Sequence, residues 1–104
     1  MIVTVTSTGA TLAEPDDLRR FHVEAPTEMS DEAIDLALSE SAAGRLESAR
    51  QAAINVAWIR ASAADVTEDW EARFSGMLDF AATKGWMTAD GDAVNGHLVR
   101  TGSE

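Results

Sequence analysis

His22 and His97 are the residues of this chain best suited to move a proton near neutral pH, and they are its only histidines. Each alternates with apolar neighbours, Phe21 and Val23 around the first and Leu98 after the second. If those neighbours face a core, both imidazoles lie on the outer face of one sheet. The chemistry open to them is that of a general base or a shared ligand site. No Ser-His or Asp-His spacing marks a catalytic constellation, so two partly exposed strand histidines without a common role are the plainer expectation.

Trp58, Trp70 and Trp86 are the next candidates, because a buried indole needs a partner for its N–H and so tends to line pockets and interfaces. Trp70 belongs to a helical stripe and is expected in the core. Trp58 and Trp86 are less constrained and are the first choices for an interface or pocket. Asp90, Asp92 and Asn95 suggest a calcium loop, but the twelve-residue pattern fails: its fifth, sixth and twelfth positions hold Val94, Asn95 and Thr101. A turn explains them. Glu28, Asp31, Glu32 and Asp35 form one acidic cluster, and Asp65, Glu68, Asp69 and Glu71 another. Both sit where a helix begins, where the dipole and capping already favour acids. The run Thr6-Ser7-Thr8-Gly9 fits neither a phosphate-binding loop nor a dinucleotide fingerprint. Cysteine is absent, which removes disulfides, thiolate nucleophiles and zinc fingers. We expect no metal site and no cofactor.

The elements that would position these residues follow from periodicity. Met1 to Thr6 alternates as a strand, Ser7 to Asp17 reads as a connection, and Leu18 to Glu24 reads as a second strand ended by Pro26. Ser30 is placed to cap a helix from about Asp31 to Ala43, with Gly44 as its stop. The segment from Arg45 to Ala64 fits a strand or a helix. We take it as a strand from about Ala53 to Arg60, because Ile54, Val56, Trp58 and Ile59 fall together there; a helix would make the domain more helical. Trp70, Phe74, Met77, Leu78 and Ala81 then mark one face of a helix from about Thr67 to Lys84 and are expected at the centre of the core. Gly76 in its interior costs about 1 kcal/mol relative to alanine, which close approach of another backbone would explain. Gly85 should cap that helix, with Trp86 folding back on Ala81. A final strand is expected from about Gly96 to Arg100, with Trp86 to Thr88 as a candidate partner.

The order β-β-α-β-α-β predicts a single α+β domain over 1–104, in two layers, with a mostly antiparallel sheet and two helices packed on one face. With 18 acids against 8 Lys and Arg the formal charge is −10, which argues against nucleic acid and against an anionic membrane surface. No apolar run is long enough for a membrane span, and no signal peptide is seen. A soluble, cytoplasmic protein is expected. Three function classes fit. The first is an accessory or protein-interaction domain that self-associates, most simply as a homodimer. The second is a small ligand-binding module or enzyme with a pocket between sheet and helices that uses His22 or His97, with Trp58 or Trp86 as wall. The third is an acidic mimic or inhibitor of a basic protein partner. A pocket holding both a histidine and a tryptophan would favour the second.

Overall fold

The structure, a computed structural model, describes residues 1–63 and 68–101. The chain runs β1 (Ile2–Thr6), β2 (Gly9–Ala13), β3 (His22–Pro26), α1 (Asp31–Glu40), β4 (Gly44–Ser48), β5 (Gln51–Asn55), α2 (Val56–Ser62), α3 (Trp70–Thr83) and β6 (Ala93–Thr101). One six-stranded sheet has the order β2-β1-β3-β6-β5-β4. Ala64, Asp65 and Thr67, named above, lie outside the described residues.

This corrects the expected β-β-α-β-α-β order, the mostly antiparallel sheet and the pair of helices. β1–β3 and β3–β6 are parallel, and the remaining pairings are antiparallel. Alternation in period two reports which face of a strand is buried and carries no information on direction. Two strands are additional: β2, where a connection was expected, and β4, which begins at Gly44, where only a helix stop was expected. Gly9, at φ +137°, opens β2 opposite Thr6, and Ala10 and Leu12 then pack against the core. β3 starts four residues later than expected, at His22. The strand expected from Ala53 to Arg60 is instead the end of β5 followed by α2. The periodicity changes at Asn55, whose side-chain amide donates to Ala42 O at 3.1 Å. Ile54 is buried in the strand, whereas Val56 and Ile59 share one helical face. β6 begins at Ala93, three residues earlier than expected.

Ser30 does cap α1, its hydroxyl accepting from the Ala33 N–H at 3.1 Å. The stop of α1, however, is not Gly44. Ala42 takes the left-handed conformation at φ +60°. The N–H of Ala43 then reaches Leu38 O and that of Ala42 reaches Ser39 O, a Schellman closure with buried Ala43 against buried Leu38. α3 ends in the same way through Gly85, at φ +76°. There the Trp86 N–H reaches Ala81 O and the Gly85 N–H reaches Ala82 O.

One apolar cluster joins all the layers. Val3, Val5, Val23, Ile54, Val94 and Leu98 present one face of the sheet to Ile34 and Leu38 of α1, Ile59 of α2, and Trp70, Phe74 and Ala81 of α3. Met77 and Leu78 are only partly buried against this cluster, so the core centre is wider than the α3 stripe alone. α1 touches both β2 and β4, the two ends of the sheet, so the sheet curls around it. The Ala10 N–H donates to Ser41 Oγ at 2.9 Å and the Leu46 N–H to Asp35 Oδ1 at 2.8 Å. Both edge strands are thus partly satisfied from within the chain.

Gly76 does not serve a close backbone approach. It is exposed, and a Cβ built there would meet nothing within 4 Å. Gly76→Ala should therefore raise unfolding stability by about 0.5–1 kcal/mol, through helix propensity and a smaller unfolded-state entropy. Urea unfolding of the variant checks this, and a loss of stability would show a neighbour at that position.

Candidate functional site

The parallel pairing of β3 and β6 sets His22 directly opposite His97. Residues opposite each other share a face, and Val23 and Leu98, the next pair, are buried. The two histidines therefore lie together on the outer face, in a transverse row running Ala13, Ile2, His22, His97 and Gln51 across five strands. His22 Nε2 and Glu24 Oε2 are 2.8 Å apart, the two side chains 26% and 33% exposed. This is a histidine–carboxylate pair with the geometry to hold a ring or share a proton. Among the described residues no hydroxyl or amine hydrogen-bonds to either histidine, so the pair has no nucleophile to activate. Nor does any group of three or more His, Asp or Glu among them come together as metal ligands.

His97 also belongs to a second feature. β6 changes partner along its length. Its first part pairs with the segment after α3: Met87 bridges Val94, the Thr88 N–H donates to Ala93 O and the Asn95 N–H to Trp86 O. From His97 onward its partner on that side is β3. Gly96 lies between the two, and a cleft of about 450 Å³ opens there. Leu18, Phe21, Met77, Phe80, Ala81 and Trp86 supply its apolar walls, and Arg19, Gln51, Asn95 and His97 its polar groups. Gly96 is needed for packing rather than for a turn, since a Cβ there would sit 2.8 Å from the Phe21 ring. The turn nearby belongs to Asp90 and Gly91. Asp90 accepts from the Thr88 hydroxyl at 2.7 Å and the Asp92 N–H at 3.0 Å. Those bonds hold its carboxyl below the ordinary range.

The walls are fixed from several directions. α3 is held at its start by Trp70, whose indole N–H donates to Pro15 O at 2.7 Å. Arg60 lies against Glu71 at 2.8 Å, and this hydrogen-bonded guanidinium lowers the Glu71 carboxyl. The segment carrying Arg19 is pinned by the Met1 amino group, which donates to Asp17 O and, at 2.7 Å, to Arg20 O. Burial pushes that amine below its ordinary value. At the rim, Phe80 and Trp86 meet edge-on with ring centroids 5.8 Å apart, and they are 54% and 48% exposed. Trp58 lies on α2, partly buried against the core, and does not line the cleft.

No protein-family description, curated protein or solved structure matches this chain. The site is therefore read on its geometry alone.

Of the four residues singled out from sequence, His97 and Trp86 meet in the cleft, His22 neighbours it across the strand pair, and Trp58 stands apart. Sequence reasoning missed Arg19, Phe21 and Gln51. Of the acids it noted, Asp31 pairs with Arg100, Glu71 with Arg60 and Asp69 with Arg73. No helix among the described residues is long and apolar enough to cross a membrane.

Proposed function

We propose that this chain is a small-molecule-binding module whose ligand occupies the cleft at Gly96. The observation that carries the reading is the cleft itself. It has a volume in the range of ligand sites, mostly apolar walls and a few polar side chains. An aromatic pair stands half-exposed at its rim, and exposed Trp and Phe beside a concavity commonly carry binding energy. Among the described residues no hydroxyl or amine hydrogen-bonds to the histidine–glutamate pair on the outer face, which favours binding over catalysis.

A self-associating interaction domain is the second reading, favoured by the same exposed Phe80 and Trp86. The rest of the outer face is mixed in polarity, with Thr4, Thr11, Glu24 and Gln51 beside Val99, and the sheet edges are engaged by α1. A homodimer would therefore have to form around the rim of the cleft. One variant separates the readings. N-phenyl-1-naphthylamine, a neutral aromatic probe, should bind wild type saturably at one site per chain, and Trp86→Ala should weaken it about tenfold. Sedimentation should be unchanged by the substitution. A dimer that dissociates in Trp86→Ala, with probe binding unaffected, would select the interaction domain instead.

A further inference from the structure

We infer that the cleft takes an aromatic anion: a flat apolar ring system bearing a carboxylate or sulfonate, its charge set against Arg19. This rests on the cleft being the binding site and names what it selects. Acids outnumber Lys and Arg by 18 to 8 in this chain, yet among the described residues no carboxylate lines the cleft, and the one permanent charge there is the guanidinium of Arg19. Four other arginines, Arg45, Arg60, Arg73 and Arg100, are matched to acids. Among the described residues Arg19 has no ion-pair partner. Asp17, two residues away, spends its carboxylate on the Arg19 backbone N–H at 3.3 Å. The guanidinium is therefore left exposed beside an aromatic wall in an otherwise acidic molecule.

That combination discriminates between ligand charges. A cation would meet Arg19 and no carboxylate. An anion would gain a charge-assisted hydrogen bond from a planar, forked donor. Asn95 and His97 of β6 and Gln51 of the neighbouring β5 add side-chain polarity, and Phe21, Phe80 and Trp86 supply flat surfaces for a ring. The net charge of −10 opposes an anion at long range, but at physiological ionic strength the screening length is about 8 Å. The local guanidinium then outweighs distant carboxylates.

Two probes with the same ring skeleton test this. 1-anilinonaphthalene-8-sulfonate carries one negative charge, and N-phenyl-1-naphthylamine lacks it. Each is titrated into wild type, Arg19→Gln, Arg19→Lys and Trp86→Ala, all near pH 7. Arg19→Gln should weaken the sulfonate probe about fivefold, the scale of one exposed charge pair, and leave the neutral probe within twofold. Arg19→Lys should recover most of the loss. Trp86→Ala should weaken both probes alike. Equal weakening of both probes by Arg19→Gln, or of neither, overturns the anion inference while the cleft stands. Binding of both probes that ignores Trp86→Ala overturns the cleft itself.

Discussion

Phe74→Ala should remove about 3–5 kcal/mol of unfolding stability. Phe74 is fully buried, and its ring stacks on Trp70 at a centroid separation of 4.7 Å and an interplanar angle of 15°. The Arg60 guanidinium lies over the ring at 5.3 Å. The substitution deletes a full aromatic side chain from a site bounded by a helix and a sheet, so a cavity remains in addition to the lost transfer energy. A domain of this size has a total of about 5–15 kcal/mol, so the variant sits near the threshold of folding. Urea unfolding followed by tryptophan fluorescence measures it, and a loss under 1 kcal/mol would contradict the burial of the ring. Phe80→Ala is the matched control. Phe80 is more than half exposed, so its loss should cost within about 1 kcal/mol. Phe74 also has a functional consequence. Met77 and Ala81, one and two turns further along α3, line the cleft. Loosening the helix at Phe74 should therefore weaken probe binding as well, whereas Phe80→Ala should weaken binding at a stability cost of at most about 1 kcal/mol.

α3 was legible in the sequence because its signals agree: one apolar stripe, acids at the start, and a glycine followed by Trp86 at the end. α1 was legible at its start, where Ser30 has the side chain a cap requires. Its end was misread because a left-handed C′ residue is usually glycine, and here Ala42 fills the position. β2 was hidden for a similar reason. Gly9 and Pro15 are loop residues by type, and only the partner strand shows that Gly9 opens a hairpin. The break inside Ala53 to Arg60 was out of reach because Ile54, Val56 and Ile59 suit either period. The shared face of His22 and His97 followed from alternation, but their direct opposition depends on a parallel register set by distant parts of the chain. Of the cleft, the sequence offered only a pocket with a histidine and a tryptophan, and His97 and Trp86 do line it, while its other walls were not legible. The cleft is assembled from Leu18, Arg19 and Phe21, Gln51, the end of α3 and β6, parts of the chain far apart in sequence.

Gly44→Ala should be among the most damaging substitutions available, at about 3–5 kcal/mol, combining backbone strain with overpacking. Gly44 opens β4 at φ +156°. A Cβ there would lie 2.0 Å from Ala53 O and 3.0 Å from Ile54 Cα. These obstacles are backbone atoms of the paired strand, so no rotamer change relieves them. Strand β4 must move off β5, and the movement disturbs what the junction holds: the Asn55 N–H bonded to Ala43 O at 2.7 Å and the Leu46 N–H bonded to Asp35. Ala42→Gly, two residues earlier, should act in the opposite sense. Ala42 occupies the left-handed region at φ +60°, where alanine costs about 1 kcal/mol that glycine does not. The Ala42→Gly variant should gain up to about that amount, with the greater backbone freedom of glycine in the unfolded chain offsetting part of it. Urea unfolding of the two variants side by side provides the check. Equal, small effects of one sign would mean that the α1–β4 junction is not held as described, whereas opposite signs would locate its strain at Ala42 and its crowding at Gly44.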